Sequence, residues 1–171
     1  TEVAIRQPVG PEELGGWRLH TDTTGLVDAA AEDHEHAIEL VKKFLSYLPS
    51  NNTELPPDAP VPNGSDAQAE RVLQAMPQSR TKVYDARDVL RPLVDIDSLF
   101  ELKSRFGKSI VTALSRVGGR TVGFIASNPK AKGGAIDVDA CRKVTSFMVL
   151  CDSFNIPFVM MVDQPGFLIG L

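Results

Sequence analysis

The hydrophobic and polar positions divide the chain into stretches of different period. Ile38, Val41, Leu45 and Leu48 recur at three- and four-residue intervals, with Glu39 and Lys43 paired four apart on another face. This spacing predicts an amphipathic helix, N-capped by Asp33 and stopped by Pro49. Farther on, Phe100–Leu102 reads as a short strand, and two longer apolar runs, 110–117 and 121–126, flank Gly118-Gly119-Arg120. Paired glycines supply the positive φ that a tight hairpin turn demands. A second long helix is predicted from Asp137 or Asp139 to about Phe154, with Ala140, Val144, Phe147, Met148, Cys151 and Phe154 on one buried stripe. Pro157 then opens Phe158-Val159-Met160-Met161-Val162, an unbroken apolar run of the kind buried on both faces.

Hairpin, loop, helix and buried strand in that order make a crossover unit. Strands 121–126 and 158–162 are expected to lie parallel, joined right-handedly by the helix. Two loops, 127–136 and 163–170, would then leave the carboxyl ends of parallel strands, where ligands of open α/β sheets bind. The first half of the chain is separated from this unit by Ser50–Ser65 in proline, asparagine and glycine, an extended linker, followed by a weakly helical 66–76. A short helix begins at Asp85 and is disturbed at Pro92. The expected units are therefore 1–49, a linker over 50–81, and 82–171.

Composition narrows the functions. The 171 residues carry 18 Lys+Arg against 22 Asp+Glu, a net charge of −4, which argues against nucleic acid as the main partner. Nothing approaches the run of about 18 apolar residues that a membrane span requires. Residues 1–6 lack the basic and apolar regions of a signal peptide, and the missing initiator Met suggests processing or an excised segment. Cys141 and Cys151 are ten residues apart on the second helix, about 15 Å along its axis. A disulfide needs Cα atoms within roughly 7 Å, so both are expected to be small apolar core residues of a protein in a reducing compartment.

Conventional catalysts are scarce. His20, His34 and His36 all precede the linker, and neither histidine spacing nor cysteine spacing gives a metal site. No nucleophile elbow, P-loop or dinucleotide fingerprint appears. What remains is backbone. Gly133, Gly134 and Ala135 lie at a loop-to-helix junction, where main-chain amides approach ligands closely and stabilise a developing oxyanion. Lys130 and Lys132 are expected either to meet a phosphate or carboxylate or to stand as solvated surface lysines, and Asp163-Gln164-Pro165-Gly166-Phe167 reads as a tight turn carrying an aromatic.

Taken together, several phrases resemble the carboxyltransferase (β) subunit of biotin-dependent acyl-CoA carboxylases, the propionyl-CoA carboxylase type above all. They are Phe124-Ile-Ala-Ser-Asn-Pro, Gly134-Ala-Ile-Asp-Val-Asp, Cys151-Asp-Ser-Phe-Asn-Ile-Pro and Val162-Asp-Gln-Pro-Gly-Phe. Glu13-Leu-Gly-Gly, Thr24-Gly-Leu-Val-Asp and Leu48-Pro-Ser-Asn-Asn agree with the same family in the first region. The resemblance implies an α/β, crotonase-like (ClpP/crotonase) fold, with this chain covering the end of one half and the start of the second. It also implies carboxyl transfer between carboxybiotin and the α-carbon of an acyl-CoA, through an enolate held by backbone amides. By position, Gly133, Gly134 and Ala135 match an oxyanion-type loop, and Asp163, Pro165, Gly166 and Phe167 the family's loop on the biotin side. Asn128, Pro129 and Lys132 would form the pocket edge.

Biotin would arrive on a biotin carboxyl carrier protein charged by biotin carboxylase, because Ala75-Met76-Pro77 lacks the lysine of an attachment sequence. A homo-oligomer in the cytoplasm or mitochondrial matrix is expected, and 171 residues alone are expected to be inactive. The alternatives are a biotin-dependent acyl-CoA decarboxylase, another crotonase-type CoA enzyme, or a non-catalytic interaction module if the chain is complete.

Overall fold

The computed structural model describes residues 8–79 and 82–168. The expectations for residues 1–6 and for 169–170 of the second loop lie outside the described residues.

Helix α1, Pro11–Gly15, leads through a wide turn at Leu19–Thr23 to α2, His34–Leu45. Asp33 caps α2 as expected, its carboxylate accepting the His36 amide at 2.8 Å. The face that packs inward differs from the expected stripe. Ile38, Val41 and Leu45 are more than half exposed, while Leu40, Phe44, Tyr47 and Leu48 meet the core. The larger side chains decide the rotation: the rings of Phe44 and Tyr47 lie 6.3 and 6.1 Å from that of Phe100. Tyr47 is fully buried and donates its hydroxyl hydrogen to the Ser98 carbonyl. Residues 34–48 thus share one core with the region beyond the linker.

Strands β1 (Phe100–Leu102), β2 (Ile110–Val117), β3 (Arg120–Ser127) and β4 (Phe158–Met161) form one sheet in that order. The first two pairings are antiparallel, and β3 pairs with β4 in parallel from Gly123↔Phe158 to Ala126↔Met161. The β2–β3 turn is Gly118-Gly119 at φ 59° and 81°, one residue tighter than expected. The Asp95 carboxylate accepts both turn amides, at 3.0 and 2.7 Å. The Ala59 amide donates to the Gly119 carbonyl at 2.9 Å, and a Cβ on Gly119 would come within 2.3 Å of the Ala59 oxygen. Nearby, Asn155 Nδ2 donates to the Asn52 and Glu54 carbonyls. The proline-rich segment is therefore strapped along the molecule, and it continues into a single 3₁₀ stretch, Asp66–Arg71, and the short α3, Val72–Ala75.

Helices cover both faces of the sheet. Helix α4, Ala86–Leu90, is capped by Asp85 and turns into a 3₁₀ segment at Arg91–Leu93, where Pro92 removes a donor. Ala86, Leu90 and Val94 pack on Val111, Phe124 and Ala126. On the opposite face lies α5, Val138–Ser153, capped by Asp137, with Ala140, Phe147 and Cys151 against Ile110, Leu114 and Ile125. Gly123 is required beneath it, since a Cβ there would lie 2.9 Å from the Cys151 sulfur.

Three expectations are corrected. Cys141 is exposed, on the first turn of α5, and only Cys151 is buried. Met148 faces outward, and position 143 takes its share of the buried face: Lys143 is 1% exposed. Its ammonium donates to the Ile110 and Phe106 carbonyls at 2.8 and 3.1 Å, which is how a charged group stays inside. Finally, β4 is parallel to β3 but, among the described residues, is the edge strand: Phe158, Val159 and Met160 are exposed and Met161 is half-buried.

Candidate functional site

The site grows from the carboxyl ends of β3 and β4, where the two expected loops meet. Ile136 and Phe167 form a parallel bridge: the Ile136 amide donates to Gly166 at 3.0 Å and the Leu168 amide to Ile136 at 2.8 Å. Gly134, at φ 80°, permits a closer approach, since a Cβ there would lie 2.9 Å from the Asp163 carbonyl oxygen. Sequence alone gave each loop separately, and the fold brings them edge to edge.

Each predicted residue has a definite place. Gly133 lies at the exposed apex of the first loop, at φ 61°, with open space where a Cβ would stand. The Gly134 and Ala135 amides donate within the loop, to Ala131 at 2.9 Å and Lys132 at 3.2 Å. They rigidify the turn. Asn128 is buried and held at both ends of its amide: its Oδ1 accepts the Ala86 amide at 3.2 Å and its Nδ2 donates to the Lys108 carbonyl at 3.1 Å. It buttresses the pocket from behind, and Pro129 beside it is buried as well. Asp163, Pro165 and Phe167 are exposed on the second loop.

The lysines that were placed to meet an anion are paired with carboxylates. Lys132 bonds Asp137, which raises the lysine above its ordinary pKa. Burial alone would push the Asp137 carboxyl up, but Lys132 and the Ala140 amide outweigh it and hold the group low. Lys130 approaches Asp85 at 3.4 Å.

Tyr84 joins the site without having been marked by any local pattern. Its hydroxyl donates to Asp163 Oδ2 at 2.8 Å across 79 residues of sequence, and its carbonyl accepts the Lys130 amide at 3.2 Å. Burial and the neighbouring carboxylate push the phenol up to about 12, so it remains a donor throughout the neutral range. Tyr84 and Asp163 stand on a cleft of about 430 Å³ whose floor is Met76, Ala86, Val89, Ala126 and Met161. On the other face of β4 a second cleft, about 290 Å³, is walled by Ile136, Cys141, Val144, Met160 and Phe167. Among the described residues no three His, Cys, Asp or Glu side chains gather as a metal site, and no helix is long and apolar enough to cross a membrane. The arrangement offers two apolar clefts with a polar rim of backbone, phenol and carboxylate between the loops.

Comparison with known proteins converges on one family. The model of the carboxyl transferase domain matches residues 2–171. The methylmalonyl-CoA carboxyltransferase 12S subunit of Propionibacterium freudenreichii subsp. shermanii is 40% identical over 167 residues, 96% of this chain and 31% of that protein. The propionyl-CoA carboxylase carboxyltransferase subunit of Haloferax mediterranei is 38% identical over 159 residues, 93% of this chain and 31% of that protein. A crystal structure of transcarboxylase 12S, described as a hexamer with methylmalonyl-coenzyme A and methylmalonic acid bound, superposes with a TM-score of 0.92 at 38% identity. It covers 99% of this chain, which matches 32% of that one. The α/β fold is thus the crotonase-like carboxyltransferase fold. The chain spans about a third of the length of these relatives.

Proposed function

Because this chain belongs to the carboxyl transferase domain family, we propose that the complete polypeptide transfers a carboxyl group between carboxybiotin and the α-carbon of an acyl-CoA. The observation that carries this reading is the edge-to-edge pairing of the two loops, Ile136 against Phe167, in a chain matched by the family over residues 2–171. Biotin, brought by a carrier protein and charged by biotin carboxylase, would supply the carboxyl group. The cleft beside Tyr84 and Asp163 fits such a group, with an apolar floor for its cis-fused, bent bicyclic ring and polar atoms at the rim for its ureido edge. A homo-oligomer belongs to the same proposal.

Transfer would break the ureido N–carboxyl bond of carboxybiotin and the α-C–H bond of the acyl-CoA, the freed ureido nitrogen taking the α-proton while the α-carbon, as an enolate, bonds the carboxyl carbon. The enolate's thioester oxygen carries the developing charge and needs fixed donors around it. In this chain Gly133 presents the exposed backbone at the loop apex. The Gly134 and Ala135 amides support that apex through their bonds to Ala131 and Lys132, and would reach an oxyanion only by giving up those acceptors. Phe167 and Met160 line the corner from one side and Met161 and Val89 from the other.

The test uses the complete polypeptide, methylmalonyl-CoA labelled in its free carboxyl group, and free biotin. Label appearing in carboxybiotin supports the reading. Failure of transfer from methylmalonyl-CoA and from malonyl-CoA alike overturns it.

A further inference from the structure

We propose that Tyr84 is the positioning residue that ties the two loops together and, through Asp163, sets the affinity for biotin; the inference rests on the carboxyltransferase reading above. Tyr84 belongs to neither loop and touches both. Its carbonyl holds the Lys130 amide of the first loop, and its hydroxyl holds Asp163 Oδ2 of the second. The following residues reinforce the first attachment, through Asp85 to Lys130 and the Ala86 amide to Asn128. Because α4 begins at Ala86 and packs into the buried core, the anchor itself is rigid.

The second loop needs such an anchor. Asp163 to Phe167 follow an exposed edge strand, and beyond Tyr84 they are held by the backbone bonds to Ile136 and by contact with Gly134. A phenol donating to one carboxylate oxygen orients the group and leaves its second oxygen as an acceptor for an N–H donor, such as the ureido edge of biotin. Tyr84 is thus a support for the group that meets the ligand, and its loss should alter binding on one side of the reaction only.

Tyr84→Phe in the complete polypeptide keeps the ring in the cleft and deletes the hydroxyl. We expect KM for free biotin to rise about tenfold, the loss of one charge-assisted hydrogen bond, while KM for the CoA ester stays within about twofold. Asp163→Ala should raise KM for biotin at least as much, and Tyr84→Phe should add nothing in that background. Amide exchange supplies a readout independent of turnover: the Leu168 amide should exchange about tenfold faster in Tyr84→Phe. Equal changes in both KM values, multiplicative effects in the double variant, or unchanged Leu168 exchange each overturn the proposal. If the unsubstituted polypeptide transfers no carboxyl group while Tyr84→Phe still accelerates Leu168 exchange, the carboxyltransferase reading and the link to biotin fall. The tie between the loops then stands.

Discussion

The paired stretches of β3 and β4, 123–126 and 158–161, run side by side in parallel and carry no charged or polar side chain, yet they live in different surroundings. Phe124, Ile125 and Ala126 of β3 are covered by α4 on one face and α5 on the other, whereas Val159 and Met160 of β4 are about half exposed. The apolar pattern reports that a side chain has a use for burial, and it says nothing of which element supplies the cover. In the described residues β3 carries the stability of the fold, and β4 carries the site, contributing Met161 to both clefts.

The sharpest test of that division is a pair of truncations. Ile125→Ala, at a fully buried position of β3, should cost about 2–5 kcal/mol in urea unfolding. Val159→Ala on β4 should cost less than about 1 kcal/mol, and comparable losses would abolish the distinction. Gly134→Ala strikes the seam itself. A residue at φ 80° with its Cβ against the Asp163 oxygen should lose about 2–3 kcal/mol and displace the second loop, seen as faster exchange of the Leu168 amide.

Lys143 probes the covered side by pH. Burial pulls it down to about 8, so between pH 8 and its ordinary 10.5 the unfolded chain binds the proton that the folded chain has released. Stability should therefore rise with pH across this window, by about 2 kcal/mol from pH 8 to 10. In Lys143→Met that rise should vanish, and a fall in the unsubstituted chain would refute the assignment. The mildest test uses the thiols. Cys141, on the wall of the β4 cleft, should react promptly with a disulfide reagent in the native protein. Cys151, fully buried under β3 and pushed up by burial to about 11, should react only on unfolding.

What the sequence made legible is local. Asp33 and Asp137 cap helices by reaching the amides three residues on, Gly118-Gly119 closes the hairpin, and a buried β3 followed by a helix requires a parallel return. Choices settled between distant segments were not legible. Which face of α2 turns inward depends on Phe100, more than fifty residues away, and the Ile38–Val41–Leu45 spacing fits a helix whichever way it rolls. Lys143 breaks an apolar stripe because two carbonyls at 106 and 110 accept its ammonium hydrogens, and the amide of Asn128, expected at the pocket edge, is also held between Ala86 and Lys108. Tyr84 carries no pattern at all. Its partner Asp163 is set by the fold, and only a reading of which segments converge on the β3–β4 corner discloses it.

The strap over 50–65 has a consequence for mechanics. A segment fastened at Ala59 to the hairpin turn and at 52–54 to Asn155 has little slack between its attachments, so it behaves as a stay and not as a hinge. Extra residues between 54 and 59 would add slack without shifting the load, whereas shortening that interval would pull on Gly119 and, through Asp95, on the end of the sheet opposite the site.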